Sequence, residues 1–342
     1  MFKFSKCRRL LALGAATLAL GSLLLSGCGE QQAAKSNEPV KVKIGWSPSA
    51  CQAPLFVAYE KGFLQEEGLD PEMIQVDAAH ISEAVGADQV QVFNGLVSKM
   101  IQPMENGLAV QATTGLHKGC VKVLVPKDST VQSFVNLKGK KIGVAGMADA
   151  GTIIARRALH YAGVDATSTT TEVEFAVYGR NDLPQALDTG KVDAIALNDP
   201  QASIAAQEYG YRVLLDTAKD KPFGDEYCCD LFITSKLIKE DPETAAKVTR
   251  AVQRASQWIQ AHPEETAQLE LDKKYVAGDV ALVTSLLKSY DYTPSVQGGH
   301  DAVYAAVKSL VEIGILKEGT DADKFTEAHT AFFKDFPDVP SN

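Results

Sequence analysis

Between residues 40 and 234 the chain repeatedly switches hydrophobic period, from short β-branched runs to longer stretches with helical spacing, and this alternation restricts it to α/β layers. The first run, VKVKIGW at 40–46, alternates polar and apolar residues as a half-buried strand does. Further strands are predicted at 73–76, 90–93, 108–113, 121–126, 142–145, 172–178, 192–197, 213–215 and 231–234. Helices are predicted between them, at 54–62, 80–87, 96–105, 151–162, 183–188 and 203–209, several closed by a glycine. Beyond residue 236 the reading is helical, at 242–262, 263–274, 280–289 and 301–313. Two α/β units and a helical tail suggest two lobes, and the length from residue 40 to 342 suits two domains.

A different pattern precedes this body. Lys3, Lys6, Arg8 and Arg9 lead into LLALGAATLALGSLLL at 10–25, followed by Ser26, Gly27 and Cys28. This is the three-part layout of a secretory signal over residues 1–27, and the apolar run falls short of the roughly 20 residues a spanning helix needs. Leu25-Ser26-Gly27-Cys28 resembles the bacterial lipobox. That resemblance implies that Cys28 is the first mature residue, with diacylglycerol on its sulfur, which gives a stable membrane anchor. Residues 28–39 read as a lipidated tether, because GEQQAAKSNEP has no aromatic or β-branched residue with which to order itself. The expected location is the extracytoplasmic side of a cell membrane, facing periplasm or cell surface.

Charge narrows the partners. Removing the four leader cations from the formal net charge of −9 leaves −13, which argues against nucleic acid and against broad electrostatic contact with anionic lipid. Of six cysteines, Cys7 lies in the leader and Cys28 carries lipid, leaving Cys51, Cys120, Cys228 and Cys229. In an oxidising compartment an even number permits disulfides, although the vicinal pair Cys228-Cys229 is poorly disposed to bond to itself.

Several segments carry a family resemblance: GWSP at 45–48, PLFVA at 54–58, GFLQEEGL at 62–69, NLKGKKIGV at 136–144 and QALDTGKVDA at 185–194. In this order, behind a lipobox, they resemble the substrate-binding lipoproteins of bacterial ABC importers, in the nitrate/sulfonate/taurine and thiamine-pyrimidine-precursor group. The resemblance covers about residues 40–335. It implies a type II periplasmic-binding-protein clamshell, with lobe 1 at 40–121 and 229–342 and lobe 2 at 122–228. Two strands would cross between lobes, near 118–125 and 227–233. The implied function is capture of a small molecule in the interlobe cleft and its delivery to an ABC permease, by a monomer without a cofactor. This chain departs from the family at 89–94, where QVQVFN replaces an Asp-containing strand ahead of a Gly-rich turn.

Ligands of open α/β sheets bind beyond the carboxyl ends of strands, and that rule selects the candidate loops. Trp46, Ser47, Ser49, Cys51 and Gln52 follow the first strand, and Asn94 ends another. His117 and Cys120 enter the first crossing; Ala148, Asp149 and Thr152 precede a helix. Asn198 and Asp199 follow a strand, and Tyr227, Cys228 and Cys229 lie at the return crossing. Ser49 and Asp149 also read as plain helix caps, and Arg156 and Arg157 as solvated. Few cations are expected in the cleft, while Trp46, Phe93 and Tyr227 favour an organic ligand over a small strong anion.

All four body cysteines fall in these segments, with three readings open: hinge disulfides, buried free thiols, or a soft-metal or metal-complex site built from Cys51, His117, Cys120, Cys228 and Cys229. The same fold group includes a thiamine-pyrimidine synthase, but its longer cysteine run is absent here. No G-x-S-x-G, P-loop or H-E-x-x-H motif occurs either, so a binding protein is expected rather than an enzyme.

Overall fold

The computed structural model describes residues 38–167, 169–334 and 336–338. The signal peptide, Cys28 and nearly all of the tether lie outside the described residues. Among those described, no helix is long and apolar enough to cross a membrane.

Among the described residues, ten strands form two five-stranded sheets. In chain order they are β1 (Val40–Trp46), β2 (Leu69–Gln75), β3 (Val92–Leu96), β4 (Val110–His117), β5 (Val121–Val125), β6 (Lys141–Val144), β7 (Glu174–Val177), β8 (Ala194–Asn198), β9 (Arg212–Asp216) and β10 (Cys229–Thr234). The first sheet has the order β2-β1-β3-β10-β4 and the second β7-β6-β8-β5-β9. In each sheet one strand runs antiparallel to both its neighbours: β10 between β3 and β4, and β5 between β8 and β9. The chain leaves the first sheet after β4, joins the second at β5 three residues later, and returns through β10. The helical tail packs back on the first sheet, so that sheet's lobe both opens and closes the described chain.

Burial follows the pleat. Val42 and Ile44 of β1 are fully buried, whereas every residue of the interior strand β5, VKVLV, is buried. Its Lys122 is tolerated there because its ammonium meets the carboxylate of Asp199.

Several elements differ from the sequence expectation. β2 starts at Leu69 rather than 73 and includes Pro71; as the edge strand it needs no ladder N–H on its outer side. β3 continues through Asn94-Gly95, which reads as a turn in sequence. The helix expected at 301 begins at Val296, capped by the Ser295 hydroxyl, and runs through Gly298-Gly299. Those glycines are there for contact. A Cβ on Gly298 would sit 2.1 Å from the Tyr227 ring, and one on Gly299 would sit 2.5 Å from the Gly115 nitrogen. Gly298→Ala is therefore expected to destabilise the fold by about 1–3 kcal/mol, despite alanine's better helix propensity. Urea unfolding monitored by circular dichroism checks this; an unchanged or higher midpoint would contradict it.

Candidate functional site

A cavity of about 500 Å³ opens between the two sheets, at the carboxyl ends of β1, β3 and β8. The first-sheet lobe contributes Trp46, Ser47, Ser49, Cys51, Gln52, Asn94 and Lys99; the second contributes Asp149, Arg180, Asn198 and Gln201. Cys229 lies at the floor. Trp46 is held edge-on by Phe56 and Tyr275, with ring centroids 5.3 and 5.2 Å away, and Phe93 stacks on Phe232 beneath the cavity. These rings give the wall a rigid aromatic component.

Two amide side chains interlock at the floor. Gln52 Nε2 donates to the Asn94 carbonyl at 3.0 Å, and Asn94 Nδ2 donates to the Cys51 carbonyl at 2.6 Å. Each amide nitrogen thereby has a protein acceptor, whereas Gln52 Oε1 and Asn94 Oδ1 remain buried without a protein partner. A buried acceptor left unpaired costs about 1–3 kcal/mol, so both oxygens are poised to accept from a donor.

The sequence candidates divide into groups. Trp46, Ser47, Ser49, Cys51, Gln52, Asn94, Asp149, Asn198 and Cys229 line the cavity. Ser49 does not cap its helical turn; its hydroxyl contacts Cys51 Sγ at 3.2 Å and donates to the Asp199 carbonyl of the opposite lobe at 3.4 Å. Asp149 caps the helix Ala150–Tyr161 by accepting from Gly151 N and pairs with Arg180 at 2.7 Å. Asp199 is buried away from the lining; its carboxylate holds Lys122, Ser203 and the Tyr290 hydroxyl. Thr152 spends its hydroxyl on the Gly146 carbonyl, and Ala148 is exposed on the loop. Tyr227 is wedged between Gly115 and Gly298, outside the cavity lining, and its hydroxyl donates to the Thr293 carbonyl at 2.6 Å.

Four cations lie where sequence reasoning did not place them. Lys99 reaches the cleft, where it donates to the Ala78 carbonyl at 2.7 Å, and burial pushes its ammonium below the ordinary lysine range. Arg180 joins it, while Asp77 and Asp149 supply opposite charge in the same lining. The strand-end rule would have found Arg180, which follows β7; Lys99 sits one turn into the helix after β3, where that rule does not reach. Arg156 and Arg157, read as solvated, are both buried. Arg156 donates to the carbonyls of Ala166 and Thr167, both at 2.7 Å. Arg157 donates to Ser98 of the opposite lobe at 2.9 Å and to Glu226 at 2.7 and 3.0 Å. Burial disfavours the Arg157 charge, yet Glu226 and the Tyr161 hydroxyl outweigh it and hold the guanidinium protonated.

Behind the floor lies a thiol cluster. All four cysteines are free, and Cys120 Sγ lies 2.8 Å from Cys228 Sγ. Hydrogen bonds from the Cys120 and Cys229 thiols pull Cys228 down to about 6, while the same Cys228 contact pushes Cys120 up to about 11. His117 is fully buried beside Cys51, stacked on Tyr290 at 5.4 Å and tilted on Tyr292 at 5.2 Å. His117, Cys120 and Cys228 are absent from the cavity lining, whereas Cys51 and Cys229 belong to both regions.

Comparison with known proteins follows from this geometry. A family model described as NMT1/THI5 like matches residues 50–266. The 4-amino-5-hydroxymethyl-2-methylpyrimidine phosphate synthase of Aspergillus parasiticus is 26% identical over 71% of this chain and 73% of its own length. A Bacillus subtilis protein named for aliphatic sulfonate binding is 25% identical over 74% of this chain and 77% of its own. Among solved structures, the periplasmic aliphatic sulphonate binding protein SsuA from Escherichia coli superposes with a TM-score of 0.70 at 16% identity, covering 84% of this chain and 97% of that one. At that identity the likeness shows the fold alone: two α/β lobes arranged as in that structure.

Proposed function

We propose that this chain, which belongs to the NMT1/THI5-like family, is a lipid-anchored extracytoplasmic receptor that captures a small organic molecule between its lobes and delivers it to an ABC permease. The observation that carries the reading is the cleft itself. Its volume of about 500 Å³ lies within the roughly 300–1,000 Å³ typical of small-molecule sites, and both lobes line it. A ligand touching both walls stabilises the closed arrangement, because the open one offers it only half the contacts. The Ser49–Asp199 and Tyr290–Asp199 hydrogen bonds across the lobes fit such closure.

The lining favours a particular chemistry. Lys99 and Arg180 are offset by Asp77 and Asp149, so the cleft lacks the excess positive charge a small inorganic anion needs. The aromatic wall and the two unpaired amide oxygens suit a flat organic molecule carrying N–H or O–H donors. The relatives' names supply the classes to test, organic sulfonates and aminopyrimidines. A receptor is favoured over a catalyst because Cys51 and Cys229 are more than nine-tenths buried and His117 is closed off behind them.

Gln52→Leu removes one waiting acceptor at similar volume. Titration calorimetry is expected to show at least about tenfold weaker binding of a donor-bearing pyrimidine, the equivalent of one hydrogen bond. Unchanged affinity, or tighter binding of nitrate than of any organic ligand, would overturn this assignment.

A further inference from the structure

The buried cluster behind the cleft floor has features that the capture of an organic ligand does not use. Three chain segments meet there: the turn Ala50–Gln52 after β1, the end of β4, and the start of β10. The Cys228 backbone ties the start of β10 to the end of β4 and to the helix after β3, its N–H donating to the His117 carbonyl at 3.0 Å and its carbonyl accepting from Val97 at 2.9 Å. In the ladder Cys229 lies opposite both His117 and Leu96. The framework is therefore rigid before any ligand arrives.

Within it, one ring nitrogen of His117 and the sulfurs of Cys51 and Cys229 all lie within 4.8 Å of one another, and all three residues are buried. A tetrahedral ion with metal–sulfur bonds of ~2.3 Å holds its sulfurs ~3.8 Å apart, so inward shifts of about an ångström would bring all three donors to bonding distance and leave the fourth position to water. The imidazole keeps one nitrogen open. Nε2 lies 3.2 Å from the Cys51 carbonyl, an oxygen that can only accept, so Nε2 carries the proton. Nδ1 then bears the free lone pair, and it is buried with no partner. A neutral imidazole fixed by a carbonyl on one nitrogen and open on the other is the arrangement metal-binding histidines adopt. Tyr290 and Tyr292 hold the ring in place.

We infer that Cys51, His117 and Cys229 form a site for a thiophilic d10 cation of the Zn(II), Cd(II) or Cu(I) class, at the floor of the cleft. Two sulfurs and one imidazole select soft or borderline ions and reject calcium and magnesium, which require oxygen. Cys51 and Cys229 also line the cavity, so the ion enters from the cleft. Its binding releases the thiol protons to solvent. The second thiol group, Cys120 with Cys228 and Cys229, is the competing location. It is disfavoured because Cys120 and Cys228 are engaged with each other at 2.8 Å and neither lines the cavity.

The test is titration of the full chain, reduced with a phosphine in oxygen-free buffer, with Cd(II) while reading thiolate-to-cadmium charge-transfer absorption. Saturation at one ion per chain is expected. The absorption should be lost in Cys51→Ala and in Cys229→Ala, and kept in Cys120→Ala and Cys228→Ala. Circular dichroism of each variant separates lost binding from lost fold. No absorption in the reduced wild-type protein overturns the inference. So does absorption that survives Cys51→Ala but vanishes in folded Cys228→Ala, which would move the ion to the other group. The readout needs no organic ligand, so its failure is distinct from failure of the receptor reading.

Discussion

Arg157→Met is expected to lower the unfolding free energy by about 3–5 kcal/mol, the scale seen when one partner of a buried ion pair is removed. The guanidinium is almost wholly buried, and its Nη2 donates to both carboxylate oxygens of Glu226, whose side chain is only 18% exposed. Methionine fills similar space but leaves that carboxylate and the Ser98 hydroxyl without their donor. The bond to Ser98 links the helix Ala150–Tyr161 to the helix Val97–Glu105 of the other lobe, so the loss falls at the lobe junction. Urea denaturation at neutral pH measures the cost. The double variant Arg157→Met/Glu226→Gln should recover part of it, since no charge is then stranded. A single variant as stable as the wild type would show that the pair contributes nothing net.

Glu270→Gln is expected to act in the opposite direction. Glu270 lies in the helix Pro263–Asp272, fully buried, and both carboxylate oxygens lack a hydrogen-bond partner. Burial, with a smaller contribution from nearby Cys51, raises its carboxyl well above the usual range, so it is protonated over a wide span of pH in the fold. In the unfolded chain it ionises near 4.3. The folded value is the higher one, so its contribution to stability is full below about pH 4.3 and is lost as pH rises toward the folded value. At about 1.4 kcal/mol per pH unit, the loss by pH 7 is bounded at about 3–4 kcal/mol. Glutamine keeps the shape and cannot ionise. The variant should therefore exceed the wild type in stability at pH 7, and the gap should close near pH 4. A gap independent of pH would rule out this cause.

How much of this was legible in the sequence depended on how local the cause was. The alternation of period in residues 40–234 is a local signal, and it led to α/β layers, which the structure has as two five-stranded sheets. Strand-end loops placed Trp46, Gln52, Asn94 and Asn198 at the cavity because chain direction alone decides which end of a parallel strand faces it. Non-local causes were not legible. Arg157 reads as a surface residue because its partners, Ser98 and Glu226, lie 59 and 69 positions away. The helix start at Val296 is hidden because Gly298 and Gly299 look like breakers until Tyr227 and Gly115 press against them. Tyr227 looked like a cleft aromatic for the same reason: its position in the return crossing is local, but the glycine pair that holds it elsewhere is not.

The central claim is that the space between the lobes holds a small organic molecule. Native mass spectrometry of the full chain, purified under non-denaturing conditions from cells that express it, tests it most directly. The account predicts a bound organic molecule that is released on unfolding and absent from both Trp46→Ala and Arg180→Ala, which alter opposite walls of the cavity. A molecule retained equally by both variants would place the binding site elsewhere and contradict the account.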